Sequence, residues 1–341
     1  MSIKTERNEF ISRLTRYKRI CVVQDERFEP EKWHPWIPHD AQIVGRKSLV
    51  GGEGIKSVEQ AESLWNHFAA CGVDRGTLVL AVGGGSITDL VGFAASTYKR
   101  GVDIAFLPTT IIAMVDAAIG GKNGVNFHGI KNQIGTYHLP VAIGIDAGWL
   151  DTLPAREQVS GWMEMLKHGM IAGEAEAEQV LGVRDLAQIP GLLAASAAVK
   201  ARIVSEDPRE SGRRKSLNLG HTVGHALEAL SHAEGNPMPH GIAVGFGLGF
   251  SLLASVELGA GLPVVAAESG LACLKHWLQH TPLPHAPAAA MWELMQHDKK
   301  NAGGEVLEVW LREWGQPIWD QPLKFEDFQR LWLKTIATFA D

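Results

Sequence analysis

Residues Thr77–Val82 (TLVLAV) are continuously apolar, run straight into Gly83-Gly84-Gly85, and are followed by a helix-like segment from Ser86 to about Tyr98. This junction constrains the fold more than any other feature of the chain. A strand without polar alternate positions is covered on both faces. Glycines directly after it let the backbone pass close to whatever lies at the start of the next helix. Such strands belong to parallel sheets flanked by helices. Arg19–Val23, Ala41–Val44, Asp103–Leu107 and Val141–Ile145 read as further short strands, and Ser57–Ala70 places Ala61, Leu64, Trp65, Phe68 and Ala69 at helical spacing.

After Asp151 the apolar period changes to three and four. It predicts helices over 155–171, 189–204, 221–231, 242–258, 264–279, 288–296 and 325–339, with one strand-like run at Val306–Leu311 and a breaker cluster at Pro282, Pro284 and Pro287. The expectation is a parallel α/β domain over 1–150 and a mostly α-helical domain over 151–341. A length of 341 residues suits two domains.

Apolar residues at 45% and charged residues at 21% exclude a mainly disordered chain. With 32 basic against 38 acidic residues the formal charge is −6, so no nucleic-acid partner held by bulk charge is expected. Cys21, Cys71 and Cys273 are odd in number and far apart, which reads as buried thiols in a reducing compartment. No apolar stretch follows the polar start Met1–Arg7, and the apolar run Gly241–Val256 is Gly-rich and short of a bilayer span, so it reads as a buried helix. A cytoplasmic protein without a membrane partner is expected.

In an open parallel sheet, ligands bind beyond the carboxyl ends of strands, where a helix N-terminus offers N–H donors to a phosphate. Gly83-Gly84-Gly85 has that setting but neither the GxGxxG nor the P-loop spacing. A second glycine pair in Gly120-Gly121-Lys122-Asn123-Gly124, with Lys131-Asn132 soon after, adds cationic groups suited to an anion.

The helical half carries a candidate metal centre. His221 and His225 lie at i, i+4 and share a helix face, His240 follows a Gly/Pro-rich loop, and Glu164 interrupts the apolar run Trp162–His168. A carboxylate in an apolar run is costly unless paired or bound to a metal. The zincin pattern is absent, because Thr222 follows His221, and spacing alone does not choose among His168, His221, His225 and His240. Arg100, Lys122, Lys131, Lys167, Lys200, Arg214, Lys299 and Lys300 flank glycines or sit in apolar helical runs, so a cationic pocket for a small phosphorylated acid is expected within an acidic protein.

Taken in order, several motifs resemble 3-dehydroquinate synthase of the sugar phosphate cyclase superfamily. They are Gly83-Gly84-Gly85 with Asp89, Tyr98–Gly101, Pro108-Thr109-Thr110, Met114–Lys122, Lys131-Asn132, Glu164–Gly169, Lys200-Ala201, Leu217–Ala226, His240-Gly241 and Asp298–Asn301. The resemblance runs from about residue 50 to 310. It implies an N-terminal Rossmann-like domain, an α-helical C-terminal domain, a cleft between them, a homodimer, NAD and a divalent metal (zinc or cobalt).

The implied reaction turns a phosphorylated seven-carbon keto acid into 3-dehydroquinate with loss of phosphate, a step of the shikimate route to aromatic amino acids. NAD would oxidise the substrate transiently and take no net part. The resemblance makes Glu164, His221 and His240 the metal ligands and moves His225 to the substrate side. It makes Asp116, Lys122, Asn132, Lys167, Lys200, Asn218 and Arg214 substrate contacts, with Arg100 and one of Lys299 or Lys300 near the phosphate or carboxylate. It places NAD against Gly51, Gly52, Glu53 and Lys56, against Gly83, Gly84, Gly85, Ser86 and Asp89, and against Thr109, Thr110, Asp116, Lys122 and Lys131. Trp149, Leu150, Asp151 and Thr152 complete that set, with Asp25 near the adenosine ribose. Thr88 and Ile242 stand where the family more often carries glycine and glutamate. Two other readings remain: a sister cyclase acting on another sugar phosphate, and a metal-dependent polyol dehydrogenase, which would form net NADH.

Overall fold

The computed structural model describes residues 3–128, 130–296 and 305–340. The chain divides into two compact units, Met1–Leu153 with Leu193–Ala201, and Pro154–Leu192 with Arg202–Asp341.

The first unit contains β1 (Ile3–Lys4), β2 (Arg19–Asp25), β3 (Gln42–Leu49), β4 (Leu78–Gly83), β5 (Ile104–Pro108), β6 (Lys122–Phe127), β7 (Ile130–Tyr137) and β8 (Ala142–Gly144). Its helices are α1 (Arg7–Leu14), α2 (Pro30–Trp33), α3 (Val58–Ala70) and α4 (Gly85–Thr97). Six strands form one sheet in the order β1-β8-β5-β4-β2-β3, and every pair in it is parallel. Burial explains the apolar runs: every residue of β4 and β5 is buried. Helix α3 is capped by Ser57, whose hydroxyl accepts from Gln60 N, and it buries Ala61, Leu64 and Phe68 along one face.

The strand order locates the ligand-binding edge. From β2 the chain moves outward to β3, then returns past β2 to β4 and continues the other way to β5. The switch point therefore lies between the carboxyl ends of β2 and β4, where Asp25 ends one strand and Gly83 the other.

The second unit comprises α5 (Ala155–Ala172), α6 (Glu174–Leu181), the end of α7 (Leu193–Glu206), α8 (His221–Ala233), α9 (His240–Glu257), α10 (Val264–Leu278), α11 (Ala288–Gln296), the antiparallel pair β9 (Val306–Leu311) and β10 (Pro317–Leu323), and α12 (Phe325–Ala340). Helix α9 is long and apolar enough to cross a membrane, yet 83% of it is buried inside the protein. Phe246 and Phe250 on it pack against Phe339 and Phe328 of α12. Burial of such side chains contributes about 1.5–3 kcal/mol each.

Several elements differ from the sequence expectation. The helix predicted over 189–204 is a 3₁₀ segment, Leu186–Leu192, followed by α7, because Pro190 cannot donate an α-helical hydrogen bond. Helix α9 begins at His240 rather than 242, with Pro239 just before it. The glycine loop around Lys122 continues into a β6–β7 hairpin that no alternation announced, since its outer positions are mostly exposed. The elements α1, α6 and β10 were also unread. Cys21 and Cys273 are buried as expected, whereas Cys71 is only half-buried; all three are free thiols.

Candidate nucleotide and metal sites

In the first unit, Gly84 precedes α4 and no side chain caps that helix, so its first N–H groups are open to an anion. Two buried polar atoms near the strand ends lack a hydrogen-bond partner among the described residues: Thr109 Oγ1, just after β5, and Trp149 Nε1, whose ring packs edge-on to Phe28 at 5.0 Å. Orphaned buried donors of this kind cost free energy unless a ligand meets them. They fit a polar group such as a dinucleotide at the sheet edge. Thr88 is buried and donates its hydroxyl to Gly85 O within the same turn.

Behind the turn, Lys56 is only 4% exposed. Its ammonium donates to Asp89 Oδ2 at 2.8 Å and to Asn132 Oδ1 at 2.5 Å, and lies 3.5 Å from Glu53 Oε1. Burial alone would depress the Lys56 pKa, but Asp89 and Glu53 outweigh it and raise it. Asn126 joins the same knot. It donates to Glu53 Oε1 and accepts from the N–H of Asn132, which sits in the left-handed region at φ 52°. Gly52 N donates to Ser86 Oγ at 3.2 Å. Gly51, Gly52, Glu53, Lys56, Ser86, Asp89 and Asn132 thus share one side of the glycine turn.

Asp116 lies on a π-helical turn, Ala113–Ala117, and there Lys200 donates to its carboxylate at 2.5 Å and to its backbone carbonyl at 2.7 Å. Lys122 and Lys131 are exposed on the hairpin. Trp149 and Leu150 are buried in the 3₁₀ segment Ala147–Thr152, while Asp151 and Thr152 are exposed. Arg100 is not brought to this group. It is exposed just past the end of α4. Lys299 and Lys300 lie outside the described residues.

In the second unit, Glu164 on α5 is fully buried. Its Oε1 lies 3.5 Å from His221 Nε2 and 3.3 Å from His240 Nε2, and Lys167 Nζ is 2.5 Å from Oε2. Neither carboxylate oxygen has a well-directed hydrogen bond, Lys167 being held by charge rather than angle. Donors bound tetrahedrally to one ion at about 2.1 Å lie about 3.4 Å apart. The spacing around Glu164 Oε1 matches that edge, so the residues fit a divalent cation.

The remaining ring atoms are fixed. His221 Nδ1 is 3.2 Å from the carbonyl of Leu219, and His240 Nδ1 is 3.0 Å from Glu228 Oε2. Donation from Nδ1 leaves each Nε2 lone pair facing the shared point. His225 stands beside both, with ring centroids 5.3 Å from His221 and 5.7 Å from His240, and all three histidines offer nitrogens within 4.8 Å of one another. His168 is buried one turn past Glu164.

Burial pushes the Glu164 carboxyl up, but Lys167 and His240 hold it well below the usual range. Burial likewise opposes charge on His240, yet its contacts with Glu164 and Glu228 raise it to about 10. A cation gripped by these atoms would displace that proton, which couples binding to proton release.

Glycines bring the three ligating elements together. A Cβ on Gly241 would stand 1.8 Å from the carbonyl oxygen of Ser160, so only glycine lets the start of α9 lie against α5 beside Glu164. Gly220, at φ 75°, turns the chain into α8 immediately before His221.

Arg214 and Asn218 are carried by the segment between α7 and α8. Asp207 accepts the backbone N–H groups of Ser211, Gly212 and Arg214. Arg214 is 2% exposed and donates to the carbonyl of Pro208, and Asn218 donates to Glu210. Burial alone would raise the Asp207 pKa; the N–H donors more than offset it and bring it to about 2. A carboxylate with an unfolded value of about 3.9 then adds stability above that pH, lost as pH falls through about 2. Thermal melts should show wild type more stable than Asp207→Asn at pH 6, with the gap closing between about pH 4 and pH 2. A gap independent of pH would contradict the assignment.

Glu228 was also missed, although its place at i+7 from His221 and i+3 from His225 puts it on their helix face. Glu228→Gln is expected to weaken zinc binding about 10–100-fold in a chelator competition titration. Unchanged affinity would remove Glu228 from the site.

A family model described as 3-dehydroquinate synthase N-terminal matches residues 47–160, and one described as 3-dehydroquinate synthase C-terminal matches 161–301. The 3-dehydroquinate synthase of Parabacteroides distasonis is 36% identical over 319 residues, 92% of this chain and 90% of that one. That of Pyrococcus abyssi is 41% identical over 280 residues, covering 80% and 82%. Among solved structures, a 2-epi-5-epi-valiolone synthase from Streptomyces hygroscopicus with NAD+ and Zn2+ bound superposes with a TM-score of 0.79 at 25% identity, covering 94% of this chain and 91% of that one. A structure described as a probable glycerol dehydrogenase from Sinorhizobium meliloti gives a TM-score of 0.64 at 16% identity, covering 100% and 97%, a likeness of fold alone.

Proposed function

The chain belongs to the 3-dehydroquinate synthase family, and from that premise we propose that it converts 3-deoxy-D-arabino-heptulosonate 7-phosphate to 3-dehydroquinate and phosphate. It does so as a homodimer in the cytoplasm, in the shikimate route to aromatic amino acids. The observation that carries the reading is the convergence of His221 and His240 Nε2 on a buried Glu164 oxygen, with each opposite nitrogen anchored.

Glu164, His221 and His240 hold a divalent cation, zinc or cobalt, and Gly83–Ser86, Thr109, Thr110 and Trp149 hold NAD. When bound, a divalent metal would supply Lewis acidity toward neighbouring substrate hydroxyls and NAD a transient hydride acceptor, with no net consumption of NAD. The chain's own residues bind and orient. Lys122, Lys200, Arg214 and Asn132 meet the anionic groups of the substrate, and Asn218 fixes its hydroxyls. Lys200 is aimed by Asp116, and Arg214 by the Asp207 loop. His225, beside the ligand histidines, holds or takes a proton at the substrate. Lys167 supplies positive charge at Glu164 that survives burial because the two are paired.

Phosphate release from the heptulosonate phosphate, with NAD and zinc, tests the reading. Activity should vanish on chelation and return with zinc or cobalt. Turnover only of a neutral sugar phosphate would make the chain a sister cyclase, and net NADH formation would make it a polyol dehydrogenase.

A further inference from the structure

We propose that Arg27 is a latent ligand for a 2′-phosphate and that Asp25 holds it in check, so that this pair sets the choice between NAD+ and NADP+. The inference rests on the reading that the parallel sheet holds a nicotinamide dinucleotide.

Asp25 is the last residue of β2, at the switch point beside the glycine turn that ends β4. A dinucleotide whose pyrophosphate lies at the start of α4 runs its adenosine ribose toward the neighbouring strand, where an acid favours a free 2′-hydroxyl. Asp25 is 1% exposed. Among the described residues Arg27 grips its carboxylate: Oδ1 accepts from Arg27 N at 3.1 Å and Nε at 2.9 Å, and Oδ2 from Arg27 Nη2 at 2.6 Å. The Arg27 side chain is itself 61% exposed. A Cβ on Gly51 would come 2.5 Å from Asp25 Oδ2 and 3.3 Å from Arg27 Nη2, so the loop after β3 passes directly over the pair.

The charges decide the selection. A 2′-phosphate carries about −1.5 to −2 and would be set against a desolvated carboxylate. A guanidinium is the group best shaped for that phosphate, but here its fork already faces Asp25. With the carboxylate replaced by a neutral amide, the guanidinium loses its ion-pair partner at this position, and a 2′-phosphate becomes the stronger acceptor for its Nη donors. One residue refuses the phosphate and its partner would accept it.

The test is calorimetric titration of NAD+ and NADP+ into the metal-loaded protein, without substrate. Wild type should prefer NAD+. Asp25→Asn should weaken NAD+ about tenfold and strengthen NADP+ about tenfold, each the worth of one hydrogen bond to a charged group. In Asp25→Asn/Arg27→Ala the NADP+ gain should disappear. A double variant that binds NADP+ as tightly as Asp25→Asn would overturn the role of Arg27, and an unchanged NAD+/NADP+ ratio in Asp25→Asn would overturn the role of Asp25. Should Asp25→Asn not fold, Arg27→Ala alone carries the test, because its side chain is exposed. With the guanidinium gone, the Asp25 carboxylate is left uncompensated against the 2′-phosphate, so NADP+ should displace NAD+ about tenfold less well than from wild type, and equal displacement overturns the proposal. Wild-type protein that takes up neither dinucleotide would instead remove the cofactor reading.

Discussion

Glu164→Gln is expected to lose its metal and about a thousandfold or more in kcat, the largest loss any single side chain should give. The carboxylate lies between two imidazole nitrogens, 3.3 and 3.5 Å from one of its oxygens. An amide is a neutral and far weaker ligand. Removing a Lewis acid worth several kcal/mol corresponds to about three powers of ten at 1.36 kcal/mol each. The substitution also strips the counter-charge from Lys167, whose side chain is 1% exposed. An uncompensated buried charge costs about 3–5 kcal/mol, so the melting temperature should fall as well. Phosphate release, zinc content after gel filtration and a thermal melt check the three parts together. A variant that keeps its zinc and stays within about tenfold of wild-type turnover would sink the ligand assignment, since a lost metal ligand cannot cost so little.

Gly241→Ala should be nearly as damaging, although alanine is the better helix former by about 1 kcal/mol. Propensity loses here because the added carbon would stand 1.8 Å from a backbone oxygen, that of Ser160, which cannot rotate away as a side chain would. The start of α9 must shift from α5, and His240 shifts with it. Overpacking of this kind costs about 3 kcal/mol, or about 6–12 °C in melting temperature for a unit of this size. Zinc affinity should fall about tenfold or more, because the ligand is displaced along with the helix. Gly191→Ala, where nothing lies within 4 Å of the added carbon, is the control and should leave both unchanged. Similar melts for the two variants would show that the close approach does not constrain the site.

The chain's own pattern determined the class of each half. An all-apolar run ending in three glycines leaves little but a covered parallel strand, and the three-and-four period after Asp151 leaves little but helices. Both are local signals, carried by neighbouring residues. Glu164 could be suspected for the same reason, as a charge inside an apolar helical run. Spacing could not choose among His168, His221, His225 and His240, because a ligand set is defined by where three elements meet.

That meeting was decided by tertiary structure. The approach of α9 to α5 at Gly241, the turn at Gly220 and the grip of Glu228 on His240 bring together ligands 76 positions apart, His240 less Glu164. The knot of Lys56 with Asp89, Asn132 and Glu53 arises likewise. The knot depends on a strand order that no periodicity encodes, whereas the clasp of Arg27 on Asp25 is local and is set by the turn that ends β2. Hydrophobic period is a property of one segment against an averaged interior, whereas a buried charge must find one particular partner, and only the packed backbone says which residue is near enough.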